Sequence, residues 1–154
     1  MLKLRDYQVD DIPEMTEVIK AAFAEYQGKL EPPSRAEKKS PEVVRQELEH
    51  GNALVIEAKA KIIACVFYKP KGDFVYLERL SVLPEYRGQG LASQLIKEVE
   101  NRARKTGARG LSLSVRLVLT KQQDLYKRLG FRFESFGTHS GYSEPTFMTM
   151  LKSF

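Results

Sequence analysis

The chain has 154 residues, 42% of them hydrophobic, and a formal net charge of +5 at pH 7. This suits one domain, 1–154, built on a single core. No apolar run approaches the ~18 residues of a spanning helix, which argues against a membrane protein. The N-terminus, Met-Leu-Lys-Leu-Arg-Asp-Tyr, has no apolar signal region, and the single cysteine cannot form an internal disulfide. Both features predict a cytoplasmic protein. Residues 1–77 carry 12 Lys+Arg against 13 Asp+Glu, whereas residues 78–154 carry 13 against 7. The second half therefore favours an anionic ligand.

Residues 2–8 alternate loosely and read as a strand. Asp11-Ile12-Pro13-Glu14 predicts a helix start with Asp11 as N-cap. Met15, Val18, Ile19, Ala22 and Phe23 follow at helical spacing. Residues 28–40 form a polar loop with Pro32 and Pro33, and Ser40-Pro41-Glu42 restarts a helix that Gly51 ends. Strands are predicted at 53–58 and 62–68, joined by Lys59-Ala60-Lys61, and Lys71-Gly72-Asp73 turns into a third at 74–82. A helix from Leu91 to about Thr106 buries Leu91, Leu95, Ile96, Val99 and Ala103, and Gly107 is placed to stop it. Leu111, Leu113 and Val115 alternate as a strand. Thr120-Lys121-Gln122-Gln123 reads as a capping box, and Gly130 ends that short helix. Strands at 131–136 and 146–151 flank the loop 137–145.

The junction of the 74–82 strand with the next helix carries the most information. Pro84-Glu85-Tyr86-Arg87-Gly88-Gln89-Gly90-Leu91-Ala92 puts two glycines and an arginine ahead of a helix N-terminus. Such a terminus offers unpaired amides and partial positive charge to an anion. The P-loop pattern is absent. The dinucleotide fingerprint fails as well, because Ser93 stands where its third small residue belongs and no acid follows at the required distance. The nonapeptide matches the Pro-x-Tyr-Arg-Gly-x-Gly-x-Ala variant of the GCN5-related N-acetyltransferase family. Leu125-Tyr126-Lys127-Arg128-Leu129-Gly130-Phe131 resembles that family's Tyr-x-x-x-Gly-Phe signature, and the element order is similar from end to end.

This resemblance implies an α/β fold: a mixed, mainly antiparallel twisted sheet of about seven strands, with four helices on both faces. It implies acetyl-CoA as co-substrate, held in an opening between the fourth and fifth strands. Leu80, Ser81 and Val82 would meet the pantetheine arm, and Arg87, Gly88, Gln89, Gly90, Leu91, Ala92 and Ser93 would wrap the pyrophosphate. The acetyl group would pass directly to the amine of a small molecule or peptide. Tyr126 matches the tyrosine whose hydroxyl faces the cofactor sulfur; its other reading is packing of the helix on the sheet. With a phenol near pKa ~10 and a thiol near ~8.5, full proton donation is uphill by roughly 2 kcal/mol, which favours hydrogen-bond stabilisation of the thiolate.

Glu78 is the leading base, with Tyr76 a weaker candidate and pairing to Arg79 the competing reading. Alternation puts Glu78 on one face with Leu80 unless a bulge intervenes. Gln122 stands where family members often carry the cofactor-contacting Asn. His139 and Tyr142 lie on a loop expected to border the acceptor, and Glu25 and Tyr26 precede the other such loop. Cys65 reads as core, and His50 as a partner for terminal helix carbonyls. With Cys65 and His139 it forms no metal spacing, so no metal is expected. Nucleic-acid motifs are missing, and neither nucleic acid nor membrane is an expected partner. The reading is compatible with a homodimer. The competing function is a catalytically silent CoA-binding regulatory or interaction module.

Overall fold

The apolar runs at 53–56 and 62–67 become fully buried strand segments, each residue at 2% exposure or less. Continuous burial, without alternation, marks strands covered on both faces. In the computed structural model, residues 1–34 and 39–154 are described; part of the expected 28–40 loop lies outside them. The elements are β1 (Leu2–Asp6), α1 (Ile12–Phe23), α2 (Pro41–Glu47), β2 (Asn52–Ala58), β3 (Lys61–Lys71) and β4 (Phe74–Val82). They continue as α3 (Leu91–Lys105), β5 (Gly110–Arg116), α4 (Thr120–Arg128), β6 (Arg132–Gly137) and β7 (Phe147–Ser153). The strand order is β1-β2-β3-β4-β5-β7-β6 in a mixed sheet, the expected fold class.

Two bodies divide the residues: Met1–Lys69 with Glu78–Val99, and Pro70–Leu77 with Glu100–Phe154. In the first, β1 pairs antiparallel with β2, and β2 with β3. Lys59 and Ala60 make the tight β2–β3 turn with φ of 53° and 65°, the left-handed pair that matches strand twist. Helix α1 buries Met15, Val18, Ile19 and Ala22 as its periodicity predicts, together with Ile12 and Thr16, whereas Phe23 is only half-buried.

In the second body β4 and β5 run parallel over Phe74↔Gly110 to Tyr76↔Ser112, and β7 lies antiparallel between β5 and β6. Gly110 has a backbone reason: a Cβ there would collide with the Lys152 carbonyl and approach the Phe74 ring to 2.8 Å.

The caps at α2 and α3 form as expected. Ser40 Oγ accepts from the Val43 amide at 3.3 Å, with Pro41 in the first turn. Gly107 (φ 81°) ends α3 as its amide donates to Arg104 O and that of Ala108 to Ala103 O, a Schellman closure.

Three expectations are corrected. Asp11 does not cap α1: a 3-10 turn, Val9–Asp11, runs straight into the helix and leaves it in helical conformation. Its carboxylate accepts from the Gln8 amide at 2.7 Å and Arg5 Nη1 at 2.8 Å. Thr120 is likewise no cap, because α4 starts from Leu119 without a side-chain cap. Gly51 does not end α2, which closes at Glu47; a Cβ on Gly51 would press Tyr68 O at 3.2 Å. His50, three residues past that helix, is exposed.

Candidate active site

In the first body the candidate residues run from Glu78 to Ser93. β4 is not uniformly extended: Arg79 adopts φ 56°, a left-handed conformation uncommon for a side-chain-bearing residue and found where surroundings enforce it. Alternation therefore cannot tie Glu78 to the face of Leu80. Ser81 is buried, and its hydroxyl donates to Arg79 O at 3.0 Å. Leu80 and Val82 are half-buried. The Glu78 carboxylate sits 3.7 Å from Lys69 Nζ, and the guanidinium of Arg79 turns to Glu47, 3.3 Å away. The Glu78–Arg79 pairing of the competing reading is thus replaced by two pairs with other partners.

Beyond β4, the Leu83 amide donates to Ile63 O at 2.9 Å, and a 3-10 turn, Pro84–Tyr86, reverses the chain. Gly88 and Gly90 follow with φ of 80° and 78°, which glycine adopts without strain. Space is not their reason: a Cβ at either position would meet nothing within 4 Å. The first helical bond of α3 runs from the Gln94 amide to Gly90 O at 3.1 Å. The amides of Leu91, Ala92 and Ser93 therefore belong to the unladdered first turn. Leu91 is 2% exposed and seats that turn on the core. No acid stands in it, and Arg102, Arg104 and Lys105 close the other end, so no acid of that turn offsets the positive pole.

Arg87 has protein partners at this junction. Its Nη1 donates to Glu25 Oε1 at 2.6 Å and its Nη2 to Ala22 O at 2.8 Å. The cradle is thereby pinned to the end of α1, and Glu25 gains a role that its sequence position did not reveal.

The second body carries Tyr126, Gln122, His139 and Tyr142. The Tyr-x-x-x-Gly-Phe stretch is another Schellman closure. The Gly130 amide donates to Lys127 O at 3.0 Å and that of Phe131 to Tyr126 O at 2.9 Å, with Gly130 at φ 99°. The hydrophobic contact that accompanies this motif is the Tyr126–Phe131 ring pair, centroids 5.9 Å apart. Tyr126 is half-buried, and Gln122 one turn earlier shares its helix face.

Gln123 emerges as the glutamine that holds α4 in place. It is 7% exposed, and its amide donates to Arg116 O at 3.0 Å and Leu117 O at 2.9 Å. His139 anchors its loop: its amide and ring Nδ1 both meet the Thr146 hydroxyl, and its ring lies edge-on to Phe147 at 5.0 Å. Tyr142 is exposed. Burial pushes the Arg116 guanidinium below its ordinary range, with Tyr142 opposing. Cys65 is fully buried core, its thiol pushed up to about 12 by burial despite a hydrogen bond with Ser81. Among the described residues no group of His, Cys, Asp or Glu could hold a metal ion, and no helix is long and apolar enough to cross a membrane.

The model of the acetyltransferase (GNAT) family matches residues 15–131. The chain belongs to that family. It is 47% identical over 60 residues to the thialysine N-epsilon-acetyltransferase of Bos taurus, covering 39% of this chain and 35% of that one. It is 26% identical over 136 residues to the S-alkylcysteine N-acetyltransferase of Bacillus subtilis, covering 80% and 74%. The chain thus spans about a third of the bovine relative's length. Among solved structures, PaiA N-acetyltransferase from Thermoplasma acidophilum in complex with coenzyme A shares the fold. Its TM-score is 0.81 at 22% identity, over 100% of this chain and 99% of that one.

Proposed function

We propose that the protein is a cytoplasmic acetyl-CoA-dependent N-acetyltransferase, acting through residues 1–154 as one catalytic domain. The observation that carries this reading is the left-handed Gly88/Gly90 pair opening into the bare first turn of α3. In this reading the amides of Gly88 to Ser93 bind the pyrophosphate, and Arg87 braces them from behind. Backbone groups of Leu80, Ser81 and Val82 hold the pantetheine arm and thioester, with Gln122 as a further contact to the cofactor. Glu78 takes the ammonium proton, directly or through water, freeing the lone pair to attack the thioester carbon. Tyr126 donates a hydrogen bond to the thiolate as the C–S bond breaks.

The acceptor is an amine-bearing amino acid or a close relative of one, with Tyr142 on its side and His139 holding that loop. Two relatives are named for amino-acid acceptors, thialysine and S-alkylcysteine, which supports this choice. The test is acetyl-CoA-dependent thiol release over amino acids, their S-alkyl and aminoalkyl derivatives, polyamines and peptide N-termini. Release is expected to require one of the amino-acid acceptors. Tight acetyl-CoA binding with no release over the whole panel would instead establish a silent CoA-binding module.

A further inference from the structure

The charges around Glu78 are shared unequally. Lys39, just ahead of α2, is 4% exposed, and its ammonium donates to Glu47 Oε2. Arg79 Nη2 donates to the same oxygen at 3.3 Å, while Lys69 Nζ stands 3.7 Å from Glu78 Oε1. Among the described residues, three cations thus face two carboxylates. They come from the segment before α2 (Lys39), from α2 (Glu47), from β3 (Lys69) and from β4 (Glu78, Arg79).

Glu47 holds two of the three cations on one oxygen, and the geometry shows the cost. Its Oε1 and the Nε of Arg79 are both buried without a hydrogen-bond partner. Those are the two atoms that would close a side-on, two-bond Arg–carboxylate fork. The fork stays half made while Lys39 shares Oε2. Burial pushes the Lys39 ammonium below its ordinary range, with Glu47 opposing; the charge of Glu78 also acts on it. Burial pushes the Glu47 carboxyl up, but Lys39 and Arg79 together hold it below the usual range.

We infer that Glu47 is a positioning residue for acetyl transfer: it keeps Lys39 and Arg79 from pairing with Glu78, which leaves Glu78 available to take the amine proton. A buried cation without a counter-ion is strongly unfavourable, so these two will take the nearest carboxylate offered. With Glu47 in place that carboxylate is Glu47. Without it, Glu78 is the carboxylate next to Arg79 in the chain, and its charge already acts on Lys39. A carboxylate locked between cations is a weaker base. The inference rests on the reading of Glu78 as the base.

The test is the pH profile of kcat/KM in the full chain, with the best acceptor of the panel and acetyl-CoA affinity measured alongside. Glu47→Gln keeps the size of the side chain and removes its charge. It is expected to move the acid limb down by about one pH unit or more and to lower the maximum about tenfold, with acetyl-CoA affinity unchanged. Lys39→Met alone should move the limb the opposite way, and Lys39→Met with Glu47→Gln should return it toward the parent position. This opposite-sign variant keeps the test alive if Glu47→Gln does not fold. An acid limb that stays in place in both single variants, whatever their melting temperatures, overturns the inference. Glu78→Gln separates the two layers: if its loss is uniform across pH, the base assignment fails. If its loss is greatest at low pH but the limb does not move in Glu47→Gln or Lys39→Met, only the role of Glu47 fails.

Discussion

Tyr126 is held by its backbone and by its ring. Its carbonyl receives the Phe131 amide and its ring meets the Phe131 ring edge-on, so removing the hydroxyl leaves both of these contacts intact. Tyr126→Phe should therefore fold. If the hydroxyl steadies the departing thiolate, the loss falls on the transition state: kcat drops by about 10²-fold while acetyl-CoA affinity stays level. A kcat within about threefold of the parent would leave Tyr126 as a packing residue in the last turn of α4. Glu78→Gln belongs at the same scale. The acceptor is mainly ammonium at low pH, so kcat/KM should fall most there and recover partly as the acceptor deprotonates. A loss that is uniform across pH would demote Glu78 to its ion pair with Lys69.

Two of the decisive elements are helix ends, and they differ in how plainly the sequence announces them. Ser40, Gly107 and Gly130 act within a few residues of themselves, so a local pattern suffices to read them. Asp11 and Gln123 look equally local yet are drawn away: Asp11 by Arg5 on β1, Gln123 by the carbonyls that end β5. The strand 74–82 was legible to the residue, but the left-handed Arg79 inside it was not, because nothing in an arginine favours φ 56°. Its guanidinium meets Glu47, 32 positions away in the chain.

The glycine loop yields a sharp expectation at this scale. Gly88→Glu or Gly90→Glu should abolish acetyl-CoA binding by calorimetry in a folded protein, since each adds a carboxylate where phosphate charge is to sit. Alanine at either position should cost about 1 kcal/mol of stability from the left-handed backbone alone. In the β6–β7 loop, Tyr142→Ala should raise the acceptor KM and spare acetyl-CoA affinity. His139→Ala should also lower the melting temperature, because it removes the ring's contacts with Thr146 and Phe147 and leaves only the amide's bond to Thr146.

Across the whole molecule, stability should depend on acid in a defined direction. The Arg5 guanidinium, hydrogen-bonded to Asp11, holds that carboxyl below the usual range against the effect of burial. In the second body burial pushes the Glu100 carboxyl up, but Lys152 and Arg104 outweigh it and leave it lowered. A carboxyl depressed in the folded state contributes stability above its unfolded pKa and loses it as pH falls through the folded value. The melting temperature should therefore be flat above pH ~5 and decline steadily below ~4. Asp11→Asn should flatten part of that decline while lowering the plateau. A decline of unchanged slope in Asp11→Asn would show that the Arg5 pair is worth little.

Cys65 turns the core into a convenience for measurement. It is the single thiol of the chain, lies at 0% exposure, and its proton is held to about 12, so almost no thiolate exists near neutral pH to react with a chromogenic disulfide. A colorimetric readout of released coenzyme A should thus start from a protein blank close to zero, with no cysteine substitution needed. The same reagent added with denaturant should liberate one equivalent of chromophore per chain, and its rate without denaturant times the opening of the β3 core.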